Sequence, residues 1–191
     1  MSFLLALMLA SKDDSSLGSL EKFPAVLHAR ASLRSDVSTV ILQRAIIRAL
    51  RVIGRSSKQM ELSLADHSGY LNGKATFKVG IGNGNAFDTL DAGEEDRVLR
   101  KTQNHGALPV LDVAVNIQYA VEGGKRHSVR GDRYIARMLF QQERLELLLH
   151  HWKGVRRVQP DELVRLLVSA VNTELRREKS PGLELEELRT T

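Results

Sequence analysis

Four arginines, Arg44, Arg48, Arg51 and Arg55, recur at steps of four, three and four in QRAIIRALRVIGR (43–55). Each guanidinium is a permanent cation whose planar fork of donors matches a phosphate or carboxylate with two hydrogen bonds. On a helix turning 100° per residue the four fall within a stripe of roughly 60°, about 16 Å long. A line of charges of one sign is the chemistry of anion binding. Two further clusters repeat it: Lys125, Arg126, Arg130, Arg133 and Arg137 in and after KRHSVRGDR (125–133), and Lys153, Arg156 and Arg157. Aromatic residues make up 5% of the chain, and Trp152 alone stands beside basic residues. Base-stacking platforms want more aromatic faces, so the charge points to backbone phosphates or lipid headgroups rather than to base reading.

Other residue groups could do chemistry. GIGNGNA (80–86) invites a phosphate loop, but a dinucleotide fingerprint needs G-x-G-x-x-G opening a helix, with an acid about twenty residues on. Here the spacing is G-x-G-x-G, Asn85, Ala86, Phe87 and Asp88 follow, and there is no Gly-Lys-Ser/Thr. A hairpin or bulge at Gly80, Gly82 and Gly84 is the preferred reading, since glycine mostly marks backbone need. An enzyme or small-ligand protein using this loop with His67 or His105 is an alternative. Of the six histidines, His28, His67, His105, His127, His150 and His151, no pair has the i, i+4 spacing with Glu of a zinc-protease helix. His150 and His151 are adjacent and diverge in either a helix or a strand. Neither a metal nor a cofactor is assigned. Glu94, Glu95 and Asp96 cluster without a locatable partner acid, so acid–base catalysis has no pair to work with. RGD at 130–132 would need an extracellular protein to act as an integrin ligand, and Arg130 counts instead in the second basic cluster.

The bulk composition agrees with a binding protein. The chain has 191 residues, 42% hydrophobic and 27% charged, which is ordinary for one globular domain with a real core. It has no cysteine, which excludes disulfides, thiolate metal sites and cysteine nucleophiles and fits a reducing compartment. The net charge of +5 favours an anionic partner: nucleic acid, lipid headgroups or an acidic protein. MSFLLALMLASKDD (1–14) lacks a basic region ahead of its apolar run. That run of about ten residues is roughly half of what spans a bilayer. It reads as an apolar arm whose Phe3, Leu4, Leu5, Leu7, Met8 and Leu9 insert into a second copy or dip into a membrane, and secretion is not expected.

The elements that would position these residues follow from periodicity. An N-terminal arm covers 1–20, ending in the polar linker 11–20. One domain spans 21–179, and a mobile acidic tail covers 180–191. Partial alternation predicts a strand over 23–33, and Ser35 or Asp36 caps a helix over about 36–54 that stops near Gly54. Its apolar side holds Leu42, Ala45, Ile46, Ala49, Leu50 and Ile53, with the arginine row outward. A hairpin joins 58–66 to 70–82, and AGEEDRVLRKTQ (92–103) is a short charged helix. The clearest strand lies within 108–124, ended by Gly123 and Gly124, before a basic loop at 125–133. Residues 134–152 fit a helix and a strand alike. Pro160, the acids Asp161 and Glu162, and the late Arg176 and Arg177 mark a helix over about 158–178. The fold class expected is α+β, an antiparallel sheet of about four to five strands with helices on one face.

The order of elements resembles a known family. A strand leads to SDV (35–37), which opens an amphipathic helix ending in IG (53–54). A lysine, a strand and a turn follow, with LNGKAT (71–76) in the next strand. Over about residues 23–79 this is similar to the first half of the matrix-protein core of rhabdoviruses. The resemblance implies a small basic protein that self-associates, condenses the nucleocapsid and coats the inner membrane leaflet. The chain departs from the animal-virus pattern in lacking a lysine-rich N-terminal arm and a Pro-Pro-x-Tyr motif. The reading is therefore a non-enzymatic assembly protein on the cytoplasmic face of a membrane or inside a virion. It would bind itself and an anionic membrane or nucleoprotein through Arg44, Arg48, Arg51, Arg55, Lys125, Arg126, Arg130 and Arg133, with no small-molecule substrate. A nucleic-acid-binding module of a non-viral protein is the first alternative.

Overall fold

Alternation of apolar and polar residues dominates the second half of the chain, and a period of two puts every apolar residue of a strand on one face. The computed structural model describes residues 15–63, 70–121 and 129–191. In chain order the elements are β1 (Ala29–Arg34), α1 (Thr39–Ile53), β2 (Ser57–Ser63), β3 (Tyr70–Asn83), β4 (Ala86–Thr89), α2 (Ala92–His105), β5 (Val110–Val121), β6 (Val129–Phe140), β7 (Arg144–Lys153), α3 (Pro160–Arg177) and β8 (Glu184–Thr190). Among the described residues they form one antiparallel sheet of eight strands in the order β2-β3-β5-β6-β7-β1-β8, with β4 also on β3.

The α+β class holds, but the sheet is larger than the four to five strands expected. Residues 134–152 resolve the open choice as the end of β6 and nearly all of β7, turning tightly where Gln141 and Arg144 exchange backbone hydrogen bonds. The supposed mobile tail is corrected too. β8 runs along β1, where Glu184 pairs with Arg34 at 2.7 Å and Glu186 lies 3.9 Å from Arg144. Its acids answer arginines of β1 and β7 at the exposed surface, while the backbone ladder to β1 holds the tail in place.

One sheet face buries Phe77, Val79, Val113, Val115, Ile117, Tyr134, Met138, Leu147 and Leu149 against the apolar stripes of α1 and α3. The first helix starts later than expected, with Ser38 as its N-cap rather than Ser35 or Asp36. Ser35 is buried and its N–H donates to Glu143 O at 2.9 Å, which keeps it in the sheet. Gln43 is polar but wholly buried within α1; its amide donates to Leu108 O at 2.5 Å and accepts from Leu108 N–H at 2.9 Å. That pair fixes the start of β5 beneath the helix.

Among the described residues, the opposite face carries no helix. Its lower half is covered instead by residues 16–28. Leu17, 2% exposed, pairs with Asn83, and Gly18 N–H donates to Gly82 O at 2.8 Å while Gly18 O accepts from Asp112 N–H at 2.7 Å. This segment thus wedges between the diverging ends of β3 and β5, so residues from Ser16 onward belong to the domain and not to a free arm. Beyond the wedge, Leu20 N–H donates to Asp112 Oδ2 at 2.7 Å, and the Phe23 ring lies 4.5 Å from the Arg137 guanidinium. Arg137 in turn forks onto both oxygens of Asp112, each at 2.7 Å.

Removing one partner from such a buried pair strands the other charge, a loss of about 3–5 kcal/mol. Asp112 is 0% exposed. Asp112→Asn is expected to lower the urea midpoint by an amount equivalent to about 3 kcal/mol, with the m-value unchanged. The double variant Asp112→Leu/Arg137→Met recovers part of that loss, because two apolar groups leave no unpaired charge.

Candidate functional site: a basic groove on the sheet face opposite α1 and α3

Strand register gathers the cations. Lys78 pairs with Asn116, Asn116 with Arg133 and Arg133 with Lys153, one row across β3, β5, β6 and β7. At about 4.8 Å per strand the row is about 14 Å wide. Lys74 lies on the same face of β3, four residues before Lys78 and so about 13 Å from it. Beside this row opens a groove of about 1100 Å³ whose lining includes Asn116, Gln118, Arg130, Arg133, Lys153 and Val155. Among the described residues, Lys74, Lys78, Arg130, Arg133 and Lys153 form no ion pair with an acid.

Two breaks in register shape the groove, one between β5 and β6 at Ile117/Tyr119 and one between β6 and β7 at Arg133/Tyr134. An extra residue in one strand re-aims a side chain. The second break does so for Trp152, which stands 53% exposed with the Arg133 guanidinium 4.5 Å from its ring. Glycine is required at two walls. A Cβ on Gly131 would strike Ile117 O, and one on Gly154, at φ 120°, would strike the Asp132 carboxylate.

Asp132 organises the floor. It is 2% exposed and accepts from Tyr119 O–H at 2.6 Å, from Arg156 and Arg157 N–H at 2.8 Å each, and faces His151 Nε2 at 3.3 Å. Arg156 holds a left-handed φ of 57°, which aims the two successive N–H groups at one carboxylate. Burial alone would raise the acid's pKa. The hydrogen bonds from Tyr119, Arg156, Arg157 and His151 outweigh it and hold the carboxyl below its ordinary range. Burial and the nearby Asp132 charge push the Tyr119 and Tyr134 hydroxyls up, so both stay neutral donors. The RGD string is therefore no exposed ligand, because its aspartate is a buried structural acceptor. Beside this network His28 Nδ1 accepts from His151 N–H at 2.9 Å. Burial lowers the pKa of His28, and Arg156, His150 and His151 lower it further.

The arginine row of α1 is not the free face the sequence suggests. Arg44 forks onto Glu178 at 2.7 and 3.0 Å, and Arg48 bonds the same carboxylate. Arg51 faces Glu95 at 3.5 Å and donates to Leu90 O at 3.3 Å. Only Arg55, at the exposed end of the row, has no acid partner among the described residues. The row lies along the seams where α1 meets α2 and α3, so its charges join helices. Arg44 first, then burial against it and the more distant pull of Arg48, leave the Glu178 carboxyl below its usual range.

Of the other predicted residues, the structure brings Arg130 and Arg133 together. Lys125, Arg126 and the apolar set Phe3, Leu4, Leu5, Leu7, Met8 and Leu9 lie outside the described residues, as does His67. The glycine loop is spent on the wedge: Gly80 and Gly82 lie inside β3, Gly84 turns into β4 at φ 65°, and a Cβ on Gly82 would sit 3.0 Å from Asp112 Cβ. The hairpin reading holds and the phosphate-loop alternative loses its loop. His105 ends α2, exposed. No group of three possible metal ligands occurs among the described residues, and no described helix is long and apolar enough to cross a membrane. Sequence reading missed Lys74, Lys78, Asn116 and Gln118. Their signal was present as even-numbered polar positions facing away from the apolar ones in β3 and β5.

Two outcomes follow from these pairings. Arg44→Ala and Arg48→Ala are each expected to cost about 1 kcal/mol of stability in urea melts, since both side chains are partly exposed, and to leave polyanion affinity unchanged. Asp132 contributes stability that is complete above its unfolded pKa of about 4 and is lost as pH falls through its lower folded value. Asp132→Asn removes that contribution, so urea midpoints of the variant fall less steeply than those of the parent below about pH 4.

No family model, curated protein or solved structure matches this chain.

Proposed function

We infer that this chain is a non-enzymatic assembly protein that holds an anionic partner in the groove between β5, β6 and β7, similar in kind to a viral matrix protein. The observation carrying this reading is the set of five cations, Lys74, Lys78, Arg130, Arg133 and Lys153, gathered on one face without acid partners among the described residues. Elsewhere the chain supplies acids freely: one glutamate serves two arginines of α1, and β8 serves those of β1 and β7. Uncompensated cations on one face are an electrostatic footprint for phosphates. The apolar stretch Phe3 to Leu9 is the proposed self-association element, and a cytoplasmic membrane face or virion interior is the proposed setting.

The test is salt-dependent binding. The parent is expected to bind a twelve-residue uridine oligomer or anionic vesicles at 50 mM salt and to release them as salt rises. Arg133→Glu/Lys153→Glu lowers affinity at least tenfold and flattens the logarithmic salt slope by about one per lost contact. Arg48→Ala leaves both unchanged. A parent that binds neither probe, or a double variant with full affinity and slope, removes the groove from the account.

A further inference from the structure

We propose that the partner of the groove is a single-stranded nucleic acid, with one unstacked base lying on the free face of Trp152. This rests on the anion-binding reading above and specifies its ligand. Three observations carry it. The first is the indole itself. Trp152 is the extra residue where the β6–β7 register shifts, it is 53% exposed, and the Arg133 guanidinium covers one face at 4.5 Å. An aromatic ring backed by a cation offers its other face to a base, an arrangement that every base can use.

The second is the floor. Asn116 and Gln118 lie between the cations of β3 and those of β6 and β7. Carboxamides carry both donors and acceptors, so they suit base edges, whereas a headgroup array asks only for charge. The third is the unmet donor. Arg133 Nε is buried without an acceptor, as are Arg157 Nε beside the floor and Arg51 Nε on α1. A phosphate oxygen entering the groove supplies one, and a buried donor left unpaired is costly.

Shape separates the candidates. The cations flank a concavity of about 1100 Å³. A bilayer surface cannot descend to Asn116 and Gln118, and a duplex keeps its bases stacked inside. A single strand can lay phosphates along Arg130, Arg133 and Lys153 and turn one base toward the indole. The aromatic poverty of the sequence, which argued against base stacking, is offset by where its one tryptophan stands.

That tryptophan is the only one in the chain, so its emission reports on this site alone. The full chain is titrated with a twelve-residue uridine oligomer, a duplex of equal length, inorganic polyphosphate, and vesicles of phosphatidylserine and phosphatidylcholine. The single strand is expected to quench Trp152 emission, while polyphosphate binds without comparable quenching. Trp152→Ala lowers affinity for the single strand about tenfold and leaves polyphosphate binding unchanged. Trp152→Phe retains most of the affinity, which shows that the ring and not folding is at stake. If Trp152→Ala binds the single strand within twofold of the parent, or if vesicles or duplex bind more tightly and shift the emission instead, the single-strand assignment is overturned while the anion groove stands. Loss of binding to every polyanion overturns both.

Discussion

The groove depends on one buried carboxylate. Asp132 sits under the point where β5, β6 and the turn after β7 converge, and every element there is tied to it. Its two backbone donors hold Arg156 in a left-handed conformation that a non-glycine residue adopts only under constraint. Gly154 must lack a side chain to let the turn close over the carboxylate. The carboxylate therefore stays ionised inside the fold because its hydrogen bonds are numerous. With it in place, the 153–157 segment becomes a wall, and Arg130, Arg133 and Lys153 face one space.

A second buried carboxylate, Asp112, divides the sheet face on which the groove's cations stand. With Arg137 it anchors the segment that wedges between β3 and β5 and then passes over β6 and β7 toward β1. Ala114 and Ile135, cross-strand neighbours on this face, are buried although no described helix covers them. The segment thus seals the apolar half and leaves the cationic half open. Two acids with opposite tasks make one face into a closed part and a receptive part. In both, an acid compensated by directed donors fixes geometry that apolar packing alone would leave loose.

How much of this the sequence discloses depends on whether a signal is local. Period-two alternation found β5 and most of β3, and the proline, acids and late arginines found α3, because each is a property of neighbouring residues. The glycines at 80, 82 and 84 signalled close backbone approach, though not that residues 16–20 would be what approaches. Residues 134–152 fitted two periods, and tertiary pairing with β5 and β1 decided it. The arginine row failed as a site for a long-range reason. Glu178 is 134 residues from Arg44, and helical geometry says which face a residue takes but not which element lies beside it. Likewise Asp132 read as part of a common tripeptide, and only strand register shows four groups aimed at it.

Charge placement separates the two arginine systems physically. Along α1, like charges one turn apart are reconciled by Glu178 and Glu95 between helices, so their effect is cohesion. In the groove, Arg133 and Lys153 are register partners, and like charges directly opposite on a sheet repel. Two unit charges about 5 Å apart repel by roughly 1 kcal/mol even where water screens them fully. The fold tolerates this on an open face while spending its nearby acids, Asp132 and Asp112, on backbone and on Arg137. A compensating charge from outside relieves the repulsion. Neutralisation by a bound phosphate therefore contributes to affinity what the empty groove gives up in stability, and this is why unmatched cations on a rigid sheet are better evidence of a binding surface than a longer row on a helix.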